Sequence, residues 1–105
     1  MTSQRTLRRS ITCAGIGLHS GHRVTLTLRP APADYGIRFR RADLGGLEIP
    51  ARVEYVASLN YATGLSFAGA SVETVEHLLA ALVSQGVDNV AIELNTPEVP
   101  IMDGS

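Results

Sequence analysis

Three features of the 105-residue sequence predict a two-layer α+β domain. Short stretches that alternate apolar and polar residues dominate its first two thirds. One segment with helical periodicity follows at about 72–85, and a further alternating stretch comes after it. Strands, then a helix, then a strand is the order of a small sheet covered by one main helix. Hydrophobic residues make up 45%, enough for a single core, so 1–105 reads as one domain.

The elements follow in order. Residues 6–13 read as a strand, with Leu7 and Ile11 among polar neighbours. Glycines at 15, 17 and 21 mark a loop. Residues 24–29 alternate strictly, as in a half-buried strand, and 37–40 do so again. Between them Pro30, Pro32 and Gly36 specify a turn, because proline removes a backbone donor and glycine admits positive φ. A short extended piece at 47–49 is stopped by Pro50, and strands are expected at 51–56 and 63–67. The helix at 72–85 places Val72, Val75, Leu78, Leu79, Leu82 and Val83 on one apolar stripe, with Gly86 as its stop. Residues 87–94 then alternate, with Val90, Ile92 and Leu94 on one face, and Pro97 and Pro100 bracket a loop. Asp103 or Ser105 suits the N-cap of another helix, so the polypeptide is expected to continue.

Composition narrows the function classes. No apolar run approaches the roughly 20 residues of a membrane helix, and the N-terminus is too polar for a signal peptide. Cys13 is the only cysteine, which excludes an intrachain disulfide and leads us to expect a cytoplasmic setting. All nine basic residues are arginines at or before position 52, whereas seven of the ten acids come later. A basic half suits a polyanion, but the strands carry no pair of aromatics on which bases would stack, so no nucleic-acid partner is expected. The simpler reading is that Arg solvates strand faces. Gly15-Ile16-Gly17 after a strand is not a dinucleotide fingerprint, because the next element is a strand and offers no helix N-terminus.

Glu76 and His77 carry the chemistry. On the helical wheel His77 points away from the apolar stripe, beside Glu73, Ala80, Ala81 and Ser84, with the alanines leaving room for a ligand or another segment. Glu76 falls at the stripe's edge, where partial desolvation would suit a general base. A first-turn position disfavours imidazolium, and neutral imidazole is the form that binds a metal. By itself the pair also fits a plain helix start, with Glu73 and His77 as exposed i,i+4 neighbours. A His-Glu-x-x-His zinc motif is absent, since Ala81 stands where the second histidine belongs.

Separate blocks, in order, resemble the UDP-3-O-acyl-N-acetylglucosamine deacetylases, zinc enzymes of lipid A biosynthesis. They are Arg5-Thr6-Leu7, the Gly15–Gly21 loop, Leu28-Arg29-Pro30-Ala31-Pro32, the 74–79 run around Glu76-His77, Gly86-Val87-Asp88-Asn89 and residues 98–105. The resemblance runs from Gln4 to Ser105. It implies two similar α+β domains with the active site between them, of which this chain is the first, lacking a second helix after residue 105. It implies that His77 is one zinc ligand and that Glu76 is the base acting on the attacking water. Leu18 and His19 would border the cleft, and Thr63 would lie in a stretch matching an active-site loop, so all three are expected at the substrate. The reaction implied is hydrolysis of the sugar's acetamide, releasing acetate. The other zinc ligands, a His and an Asp, would come from the second domain, with an assisting lysine and histidine; this chain has no lysine. Alone it is expected to be inactive. The alternative is a non-catalytic relic or binding module of the same fold.

Overall fold

The computed structural model describes residues 3–17, 21, 23–51, 56–59, 62–67, 69–73, 75–97 and 99–101. It is an α+β domain. The described strands are β1 (Ile11–Gly17), β2 (Arg23–Pro30), β3 (Ile37–Arg41), β4 (Leu47–Pro50), β5 (Val56–Leu59), β6 (Ala62–Phe67), β7 (Ala70–Glu73), β8 (Val90–Leu94) and β9 (Pro100–Ile101). One α-helix, α1 (Glu76–Ser84), lies between β7 and β8, and a 3-10 turn, Ala42–Leu44, joins β3 to β4. The strands form a six-stranded sheet, ordered β4-β3-β8-β2-β1-β9, and a separate three-stranded sheet, β5-β6-β7. A single sheet was expected; the second forms because β6 and β7 pair with each other and β5, not with β4.

Register explains the large sheet. Ile11, Leu28, Ile92, Phe39 and Ile49 stand opposite one another across β1, β2, β8, β3 and β4. Leu28 is half-buried, and Ile92, Phe39 and Ile49 are fully buried. One residue along, Thr12, Thr27, Glu93, Arg40 and Glu48 form the matching row on the outer face. The period of two therefore sends apolar residues to the core and polar ones to water. Val90, Ile92 and Leu94 share the core face, as their alternation predicts. On the outer face Glu93 accepts from Arg29 at 2.6 Å and lies 3.9 Å from Arg40, while Glu48 pairs with Arg38 at 3.1 Å. The basic first half of the sequence is thus partly neutralised in space.

β8 runs antiparallel to β2 but parallel to β3. Parallel neighbours need a long crossover, and the small sheet and α1 are part of it. One core joins Val24, Leu26, Phe39, Ile49, Val90, Ile92 and Leu94 of the large sheet to Leu65, Val72, Val75 and Leu82. Phe39→Ala, emptying a fully buried site, should cost about 3–5 kcal/mol.

Several boundaries differ from the sequence reading. The first strand is Ile11–Gly17, so 6–10 is not strand and two of the loop glycines are. Residues 52–55, most of one expected strand, lie outside the described residues. Pro100–Ile101, expected in a loop, pairs with β1 through Ile16↔Ile101 and Gly17↔Pro100. The helix begins four residues later than expected. Val72 instead faces Leu65 across β6–β7, where both are buried, and Gly69, just before β7, takes φ +80°. Val72 and Val75 are spaced to suit a helix, but burial in a strand satisfies Val72 equally well. Val83 is 69% exposed, so the apolar stripe is narrower than the wheel suggested.

Candidate functional site at the start of the helix

Two buried valines set where α1 begins. Val72 in β7 and Val75 at the N-cap are at most 1% exposed, pinning the chain on either side of the strand-to-helix junction. Val75 has helical backbone angles and makes no side-chain cap, and its carbonyl accepts from Leu79 N at 3.0 Å. Leu82 is buried and Leu78 and Leu79 half-buried, so this face holds the helix to the core. Glu76 and His77, the first two helical residues, are both exposed. His77 stands outside the core, while Glu76 lacks the partial burial expected of it at the stripe's edge. Its carboxylate nonetheless sits in the first turn, where the unpaired N–H groups favour negative charge.

The other end of α1 is closed by a different construction. Gly86 N donates to Val83 O and Val87 N to Leu82 O, both at 3.0 Å, with Gly86 at φ +73°. This is a Schellman closure, and its left-handed position favours glycine. The chain then meets its own N-terminal segment. Arg5 O accepts from both Asp88 N and Asn89 N, and Arg5 N donates to Asp88 Oδ2 at 2.8 Å. Asn89 is 3% exposed. Its Oδ1 accepts from Gly36 N at 2.8 Å, and its Nδ2 donates to Gln4 Oε1 at 2.7 Å. Thr6 Oγ1 donates to Asn89 O and accepts from Ala31 N. Sequence reading noted Gly86–Asn89 only as a block and missed this node, because its partners lie far along the chain. Buried Asn is uncommon enough to have been a signal, but only its partners show what it joins.

α1 leads into β8 through residues 85–89. β8 finishes, β2 begins and β1 finishes, at Gly17, at one end of the large sheet. There Gly17 O accepts from Gly21 N at 2.9 Å. Leu18 and His19 themselves lie outside the described residues. Thr63 is in β6, opposite Ser58. At the same end Arg41, 7% exposed, donates from Nε and Nη2 to the two oxygens of Asp43 at 2.9 and 2.7 Å. Those hydrogen bonds hold the Asp43 carboxyl below the usual range.

A metal fits the start of α1 only in part. His77 is exposed and its imidazole is an ordinary zinc donor, with Glu76 next to it in the chain. Among the described residues no three His, Cys, Asp or Glu side chains gather as a metal site would require. No helix among them is long and apolar enough to cross a membrane.

An exposed acid and imidazole open the one described helix of a domain that has a six-stranded and a three-stranded sheet. The model of the UDP-3-O-acyl N-acetylglycosamine deacetylase family matches residues 4–105, and the chain belongs to that family. It is 56% identical to UDP-3-O-acyl-N-acetylglucosamine deacetylases of Xanthomonas oryzae pv. oryzae (strain PXO99A) and Xanthomonas campestris pv. campestris (strain B100). It is 52% identical to that of Stenotrophomonas maltophilia (strain K279a). Each alignment covers 100% of this chain but 35% of the relative, so the chain spans about a third of their length.

Proposed function

We propose that this chain is the first part of a zinc-dependent deacetylase of lipid A biosynthesis. The whole protein would hydrolyse the acetamide of UDP-3-O-acyl-N-acetylglucosamine, giving UDP-3-O-acyl-glucosamine and acetate. The observation that carries the reading is the consecutive pair Glu76-His77, both exposed at the start of α1, within a chain matched by the family from residue 4 to 105.

His77 would hold the metal through an imidazole nitrogen. Bound zinc would polarise the acetamide carbonyl and acidify the attacking water. Glu76 takes a proton from that water and returns one to the departing nitrogen, so the sugar leaves as a free amine and the acyl carbon as acetate. Exposure leaves Glu76 hydrated here; a covering segment and the substrate would supply the dry surroundings in which a carboxylate base works best. Leu18, His19 and Thr63 are assigned to the substrate. The remaining metal ligands and a second domain would come from outside these 105 residues, which alone are expected to be inactive. A single, half-buried thiol suits a cytoplasmic enzyme.

The test is a chimera in which this chain replaces the corresponding first third of the Xanthomonas oryzae relative. Acetate release from the substrate is expected in the chimera and absent from the isolated chain. Glu76→Gln should lower turnover by about 10²–10⁴-fold. A chimera that folds but whose turnover is unchanged by Glu76→Gln would contradict the assignment.

A further inference from the structure

Residues 4–7 belong to neither sheet, yet the fold reads them one by one. Gln4 uses both ends of its amide: Oε1 accepts from Asp34 N and from Asn89 Nδ2, each at 2.7 Å, and Nε2 donates to Asp34 Oδ1 at 2.8 Å. Arg5 is held by its backbone, whose N–H donates to Asp88 Oδ2 and whose carbonyl accepts from Asp88 N and Asn89 N. The Thr6 hydroxyl donates to Asn89 O and accepts from Ala31 N. Leu7 packs against the core. Gln4, Arg5 and Thr6 are themselves exposed, so the segment lies on the surface. The groups that receive it have partners of their own. Asn89 Oδ1 accepts from Gly36 N at 2.8 Å, Val90 N donates to Gly36 O at 2.9 Å, and the Gly86 closure is made with Val83 and Leu82. Backbone pairing combined with side-chain readout at alternate positions is how a protein binds an extended peptide.

We propose that Ala31, Asp34, Asp88 and Asn89 form a recognition site for an extended peptide reading Gln-x-Thr-Leu, and that residues 4–7 occupy it as a strap exchangeable for the same peptide supplied free. The first and third positions carry the specificity. Only an amide both accepts from Asp34 N and donates to the Asp34 carboxylate, and only a hydroxyl both donates to Asn89 O and accepts from Ala31 N. Methionine or valine in their places keeps the shape and loses those bonds. The second position is read through its backbone and tolerates other side chains. Docked, the strap fastens the turn between β2 and β3 to the loop between α1 and β8. Its release is local, because the Asn89–Gly36 contact and the sheet do not depend on it. Ordering residues 4–7 offsets most of what their hydrogen bonds contribute, so the docked state is favoured only modestly. Release leaves the N–H groups of Ala31, Asp34, Asp88 and Asn89 aimed at one extended line, ready for a second peptide. The proposal is independent of the deacetylase reading, since Glu76 and His77 take no part in it.

Fluorescence anisotropy of a labelled peptide comprising residues 1–9 tests it. The full chain is compared with a Gln4→Met, Thr6→Val chain, whose own strap no longer competes. The peptide should bind the substituted chain about tenfold or more tightly than the unsubstituted one, tenfold being the bias that a modestly favoured strap imposes. A peptide carrying the same two substitutions keeps all three arginines, and so the charge, but should bind each chain at least about tenfold more weakly than the native peptide. Equal affinity of the native peptide for both chains, no binding to either up to about 1 mM, or undiminished binding of the substituted peptide overturns the proposal. Should the substituted chain fail to fold, amide hydrogen exchange in the unsubstituted chain decides. The four amides that donate into the strap, those of Ala31, Asp34, Asp88 and Asn89, should exchange together and about tenfold or more faster than the amides of β8. Exchange of all four no faster than β8 also overturns it, because the segment would then leave only on global unfolding.

Discussion

The two ends of α1 are built to opposite specifications. At its C-terminal end Gly86 closes the helix, and Gln4, Arg5, Thr6, Ala31, Gly36, Asp88 and Asn89 are joined by hydrogen bonds. At its N-terminal end no side chain caps the helix, and Glu76 and His77 face outward. One end commits its polar groups to stability, and the other leaves them uncommitted. Groups left unengaged on a rigid scaffold are free to meet a ligand, as the proposed role of Glu76 and His77 requires. Three of the sequence blocks that resemble the family, around Arg5, Pro30 and Asn89, meet at the committed end. Their hydrogen bonds hold the scaffold together.

Substitutions at the two ends should separate accordingly. Asn89→Ala strips the acceptor from Gly36 N and the donor from Gln4 Oε1 at a buried position. It should cost about 2–3 kcal/mol, read from the urea midpoint. Gly86→Ala forces a side chain into φ +73°, although the new Cβ would meet Arg5 only at an ordinary 3.8 Å. The expected cost is about 1–2 kcal/mol, all of it backbone strain. Glu76→Gln and His77→Ala should each change stability by less than about 0.5 kcal/mol. A loss at Glu76 or His77 as large as at Asn89 would dissolve the contrast.

The smallest effect concerns pH. Burial first, then its hydrogen bond to Glu48 at 2.8 Å, pushes Tyr35 up to about 12. The same bond, with Arg38, holds Glu48 below the usual carboxylate range. A raised tyrosine adds stability that is complete below the unfolded value near 10 and fades as pH rises towards 12. A lowered glutamate adds stability present above its unfolded value and lost as pH falls through the folded one. Asp43 shares that acid window through Arg41. Tyr35→Phe should therefore flatten the alkaline fall in stability fully and the acid fall only in part, in urea titrations across pH.

Local periodicity made much of this fold legible. β2, β3 and β8 are each read from alternation that register converts directly into a buried face, and the Gly86 stop follows from one residue's backbone freedom. What failed needed partners. Val72 fits either a helix or a strand until Leu65 is seen opposite it, and β9 exists only through β1. At the site, Glu76 and His77 were visible because they adjoin in sequence. Glu76's exposure was not, since the stripe beside it narrows once Val72 leaves the helix and Val83 turns to solvent.

The central claim is that adjacent residues at one helix start play separate parts, His77 holding the metal and Glu76 moving the proton. Zinc content of the purified chimera, measured beside its acetate release, tests it most directly. His77→Ala should lose both the metal and the activity, whereas Glu76→Gln should keep the metal and lose turnover. Full zinc and full activity in the His77→Ala chimera would contradict the account.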